Sequence, residues 1–134
     1  MGFVLRHAPV DAAIRIVNVS SGAAVRGFGG VMAYCASKAA LRMIGMVAAA
    51  ELDEPPAGVP SRDAAILSYG PGPVDTAMQA NAVAQRVEDF PWVRVFREFE
   101  AGGMVVTPDR PAAEIVDFLE SDGQPRFTEK RLKQ

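Results

Sequence analysis

The stretch IRIVNVSSGAAVRGFGGVMAYCASKAALRMIGMVAAAEL, residues 14–52, changes its hydrophobic period part-way along. Ile14 to Val19 is a short β-branched run closed by Ser20, Ser21 and Gly22. Such a run suits a strand buried on both faces, as in a parallel sheet. A loop carrying Gly27, Gly29 and Gly30 follows. From Met32 to Leu52 the apolar residues Ala36, Ala40, Met43, Ile44, Val47 and Ala48 recur at three- and four-residue spacings, which predicts a long helix. Gly45 weakens that helix but lets a neighbour pack closely.

Working outward, EPPAGVPSRD (54–63) breaks the helix and reads as an exposed loop. Ala64 to Tyr69 is a second apolar strand, ended by Gly70-Pro71-Gly72-Pro73. Strand, long helix and strand make a βαβ unit, which joins parallel neighbours by a right-handed crossover. Helices are predicted at Met78–Val87 and Trp92–Ala101. A clearer one starts with Asp109 as cap and Pro111 in the first turn, and ends before Ser121-Asp122-Gly123. The expected organisation is one domain over 1–134: a βαβ core at 14–79, a helical region at 80–121 and a polar tail at 122–134.

Composition narrows the class. Of the 134 residues, 49% are hydrophobic and 22% charged, as in an ordered globular domain. A formal charge of -2 gives no footprint for nucleic acid, and the basic Lys130, Arg131 and Lys133 read as a solvated end. The single Cys35 excludes an intrachain disulfide and a multi-cysteine zinc site; it reads as a small buried hydrophobe, and His7 as a surface residue. No metal site is expected. No window reaches the length of a membrane span, and the start MGFVLRHAPVDAA does not form a signal peptide, so the cytoplasm is the default location.

Tyr34 and Lys38 lie four apart and share one helix face. An ammonium beside a phenol favours the phenolate, and a phenol so assisted serves as a general acid. Ser21 stands thirteen positions earlier, at the end of a strand, where its hydroxyl could hold a carbonyl oxygen. Each feature has a plainer reading: a chance YxxxK on a helix, serines capping a strand end, and Asp75-Thr76 as a helix N-cap.

Taken together, NVSS at 18–21, YCASK at 34–38 and PGPVDTAMQ at 71–79 resemble three successive signatures of the short-chain dehydrogenase/reductase family. The segments around YCASK and SYGPGPVDTAMQ are most similar to its sepiapterin reductase branch. The resemblance implies a doubly wound, Rossmann-like α/β fold. It also implies that Ser21 positions a carbonyl oxygen, Tyr34 protonates it, and Lys38 steadies the phenolate and binds the nicotinamide ribose. Pro71, Gly72, Val74, Thr76 and Met78 then line the nicotinamide end of NADPH, and Asp75 anchors the donor edge of a pterin. The implied substrates are sepiapterin-like pterins or α-dicarbonyls, and the implied assembly is a homodimer through the Tyr34 helix.

Against the family pattern, no glycine-rich dinucleotide fingerprint precedes Ile14, and GQPRFTEKRLKQ offers no six-residue apolar run for a last strand. The expectation is therefore the C-terminal half of the fold, without its dinucleotide-binding half and without the closing strand. Exposed edges and apolar faces should follow. The alternative to an enzyme is a non-catalytic fragment, active only with a partner or not at all.

Overall fold

The computed structural model describes residues 7–55, 57 and 60–132. The start of the chain, Pro56, Gly58 and Val59 of the proline-rich loop, and Lys133 of the basic tail lie outside them. The elements run β1 (Ile14–Val19), a 3-10 turn (Gly22–Ala24), α1 (Met32–Asp53), β2 (Ala64–Gly70), α2 (Ala77–Val83), α3 (Val93–Ala101), α4 (Asp109–Glu120) and β3 (Phe127–Arg131).

The three strands form one parallel sheet in the order β1-β2-β3. Ile14 pairs with Ala64 and Val19 with Tyr69 on one side of β2; Ile66 pairs with Phe127 and Gly70 with Arg131 on the other. Alternation along β2 feeds two cores. Ala64 and Ile66 meet Ala48, Ala49 and Leu52 of α1, while Ala65, Leu67 and Tyr69 meet Phe118 of α4 and Leu132. Helices thus cover opposite faces, which is the doubly wound arrangement in part.

The expectation of no closing strand is corrected: the polar tail contains β3. FTEKR has no apolar run because β3 buries little and is held by charge and backbone. Phe127 packs into the α1 core, Arg42 Nε and Nη2 donate to the two Glu129 carboxylate oxygens at 2.6 and 2.7 Å, and Lys130 pairs with Glu114 of α4 at 3.1 Å. Just before it, Arg126 donates to the carbonyls of Arg62 and Ala64 at the entry to β2.

β1 is also corrected. It is half-buried along most of its length rather than covered on both faces, because β2 is its one partner among the described residues. The 54–63 loop is not wholly exposed either: Arg62 is buried and donates to the carbonyls of Ala8 and Pro9 at 2.9 and 2.7 Å.

Helix ends shift modestly. α2 stops at Val83, four residues short of Val87, and Asp109 stands inside the first turn of α4 with Pro108 at the cap position. Among the described residues no helix is long and apolar enough to cross a membrane.

Candidate active site

In an open parallel sheet, ligands bind beyond the carboxyl ends of the strands. That end of this sheet collects most of the residues singled out above. β1 finishes at Val19, and the Ser20 amide donates to the Tyr69 carbonyl at 2.6 Å, continuing the ladder one residue further. Ser21 then caps the 3-10 turn: its Oγ accepts from the Ala23 amide at 3.2 Å. Ser21 thus caps the turn rather than the strand end of the plainer reading, and its hydroxyl retains a donor proton and a second lone pair.

Tyr34 lies in the first turn of α1 and is exposed. Lys38, one turn on, places Nζ 5.7 Å from the Tyr34 ring centroid and donates to the Val19 carbonyl at 2.9 Å. One ammonium therefore ties the start of α1 to the end of β1, and Ser21, Tyr34 and Lys38 converge there. Tyr34 makes no hydrogen bond to Ser21. Ser37 turns back instead, donating to the Tyr34 carbonyl at 2.8 Å.

The loop after β2 stands at the same end. Gly72 adopts φ 73°, a left-handed turn that glycine accepts freely. Val74 bridges to Val106; the Asp75 amide donates to the Val106 carbonyl at 2.9 Å and the Val106 amide to the Pro73 carbonyl at 3.1 Å. This pins Pro71 to Asp75 as a fixed rim. Thr76 is the N-cap of α2, accepting from the Gln79 amide at 3.3 Å. Asp75 does not cap the helix and stays exposed, as does Met78.

Two features depart from the sequence reading, the second correcting the view of Lys130 and Arg131 as a merely solvated end. An aromatic bracket joins the loop after β1 to the α2–α3 segment: Phe28 meets Trp92 edge-on at 4.7 Å, with Arg26 lying over both rings at 5.3 and 5.7 Å. And β3 carries Glu129, Lys130 and Arg131 to the carboxyl end, where with Ser20, Ser21, Ser68 and Gly70 they line a cavity of about 30 Å³. Phe127 is the one apolar residue that FTEKR offers as a signal for that strand.

With the geometry in place, the known proteins agree on the family. The short-chain dehydrogenase profile matches residues 4–87. The chain belongs to the short-chain dehydrogenase family.

Benzil reductase ((S)-benzoin forming) of Bacillus subtilis (strain 168) is 32% identical over 118 residues, covering 88% of this chain and 46% of that protein. Sepiapterin reductase of Bos taurus is 38% identical over 108 residues, covering 80% of this chain and 36% of that protein. The chain thus spans less than half the length of these relatives. The structure of the KRED1-Pglu enzyme superposes with a TM-score of 0.64 at 22% identity, covering 85% of this chain and 46% of that one, which supports the partial Rossmann-like fold.

The nicotinamide end of a dinucleotide fits what is present. The pinned loop Pro71–Thr76 follows β2 and Lys38 is tied to the end of β1, so both stand at the carboxyl ends of two adjacent parallel strands. Gly27, Gly29 and Gly30 stand between β1 and α1 but do not form the G-x-G-x-x-G spacing that seats a pyrophosphate.

Proposed function

We propose that this chain carries the catalytic end of an NADP(H)-dependent carbonyl reductase. The observation that carries the reading is the convergence of Tyr34, Lys38 and Ser21 at the carboxyl end of β1, fixed by the Lys38 bond to Val19.

NADPH, when bound, supplies hydride. The chain's own residues do the rest. Ser21 Oγ donates its remaining proton to the substrate carbonyl oxygen and orients it. As negative charge develops on that oxygen, Tyr34 gives up its phenolic proton to it. The Lys38 ammonium steadies the resulting phenolate and contacts the ribose next to the nicotinamide. Pro71, Gly72, Val74, Thr76 and Met78 bound the nicotinamide side, and Asp75, an exposed carboxylate on that rim, accepts from N–H donors on a pterin-like substrate. The names of the relatives suggest the first substrates to offer: benzil and sepiapterin.

The test is NADPH oxidation by the purified chain with either substrate, beside Tyr34→Phe. We expect weak turnover from this half of the fold alone, falling by about 10²–10⁴ in the variant, the usual worth of a general acid. Turnover unchanged in Tyr34→Phe would remove the phenol from the mechanism.

A second reading has its own support: the open β1 edge and the exposed apolar face of α1 suit a chain that works only with a partner, a second copy included. Absence of turnover in the isolated chain, with no rise in melting temperature on adding NADPH, favours it.

A further inference from the structure

The cavity at the carboxyl ends of the three strands holds an unbalanced positive charge. Three ionisable residues line it, all from β3. Glu129 has both carboxylate oxygens taken by Arg42 of α1. Lys130 is paired across the sheet with Glu114 of α4. Arg131 has no hydrogen bond or ion pair among the described residues; its charge reaches Glu129 only at a distance, helping Arg42 to hold that carboxyl below its ordinary value.

Position adds to charge. Arg131 lies beside Gly70, with its Cγ 3.4 Å from where a Cβ on that glycine would stand. The aliphatic stem of Arg131 therefore lies against the end of β2, at ordinary contact distance from that position. The remaining lining is Ser20, Ser21 and Ser68 with Ala24 and Val25. Serine hydroxyls in the same lining as an arginine with no ion pair among the described residues complement an anion, and the guanidinium fork matches a planar carboxylate. The cavity, about 30 Å³, has room for a carboxylate or a carbonyl.

We propose that Arg131 binds a carboxylate of the substrate, making this chain a reductase of oxo acids whose bulkier end lies outside the cavity. The proposal deepens the carbonyl-reductase reading and rests on it. With Ser21 in the same lining, the carboxylate and the reacting carbonyl are neighbours, as in a 2-oxo acid. In the reaction the carbonyl carbon gains hydride from NADPH, the C=O π pair moves to oxygen, and that oxygen takes the Tyr34 proton, which solvent restores. The products are the 2-hydroxy acid and NADP⁺.

Benzoylformate and its methyl ester differ in the charge and in one methyl group, which the Arg131 variants separate, and they are the probes. NMR titration of the isotope-labelled chain needs no turnover. We expect the acid to bind about tenfold or more tighter than the ester, as a charge-assisted hydrogen bond provides. Arg131→Gln should remove the difference, Arg131→Lys should keep part of it, and both should melt like the parent. Equal binding of acid and ester, or a preference that survives Arg131→Gln, overturns the proposal. So does displacement of benzoylformate by NADPH, which would make Arg131 a contact for the cofactor's phosphates. Turnover of both probes with no acid preference leaves the reductase standing and removes the oxo acid. An acid preference in binding without turnover keeps the Arg131 subsite and removes the reductase.

Discussion

At the scale of single residues, Gly45 shows how tightly the helix is set on the sheet. A Cβ there would stand 3.0 Å from Asn18 Nδ2 on β1, 3.5 Å from Ile66 Cγ2 on β2 and 3.1 Å from Phe127 Cε2 on β3. One position therefore touches all three strands. Gly45→Ala gains up to about 1 kcal/mol of helix propensity but overpacks two contacts, at a cost of about 1–3 kcal/mol. The expected outcome is a net loss of about 1 kcal/mol, read as a lower denaturant midpoint at unchanged slope; a more stable variant would show that Phe127 gives way easily. The close approach was legible in the sequence, since a glycine inside an otherwise good helix asks for a packing reason. So was the Tyr34–Lys38 pair, because helical spacing alone puts four-apart residues on one face. Ser21 was legible as to place. That its hydroxyl caps a 3-10 turn was not, since the backbone angle of the turn decides it.

At the scale of elements, strands divide into those that alternate or run apolar and those held by charge. β2 reads at sight because both its faces are buried. β3 was missed for the converse reason: its neighbours on the two helices meet it with Arg42 and Glu114, so its own sequence is polar. Tyr69 of β2 lies in the α4 face of the sheet and donates to Glu114 Oε2 at 3.2 Å. Burial first, then the Glu114 charge and hydrogen bond, push its phenol up to about 12 from 10.0. An acid whose folded pKa exceeds its unfolded one stabilises the fold below the unfolded value and loses that contribution as pH rises. Stability should therefore decline from about pH 10 towards 12. Tyr69→Phe should flatten this alkaline limb in chemical denaturation while lowering stability near neutrality. The acid limb has the opposite sign. Arg42, chiefly by hydrogen bonding, holds Glu129 below its ordinary 4.5, so the pair contributes above that pH and is lost as pH falls through the lower folded value. Glu129→Gln should flatten stability against pH on the acid side, and an unchanged profile would show that β3 is held by its backbone alone.

At the scale of the whole molecule, the part of the fold that is present explains why α1 is apolar nearly all round. Gly45, Ala48, Ala49 and Leu52 face the sheet and are buried, while Met43, Ile44 and Val47 on another face are 49–58% exposed. Ala40, Met43, Ile44, Val47, Ala48 and Glu51 line one open, mostly apolar hollow. A helix apolar on two faces belongs between two layers, and here one layer is supplied. β1 offers a second such surface, a strand edge with unpaired backbone groups among the described residues. Both favour association, and a second copy meeting α1 face to face would bury the same hydrophobic residues on each side, the geometry of an isologous dimer. Sedimentation should then show a weight-average mass that rises above 14.3 kDa with concentration. Ile44→Lys with Val47→Lys should return the chain to a monomer, because each partner would bring two like charges into an apolar contact. Both residues lie on the face turned from the sheet, so the monomer should keep its circular dichroism. A parent chain that stays monomeric at every concentration would rule out the dimer, while a double variant that still associates would transfer the contact from α1 to the β1 edge.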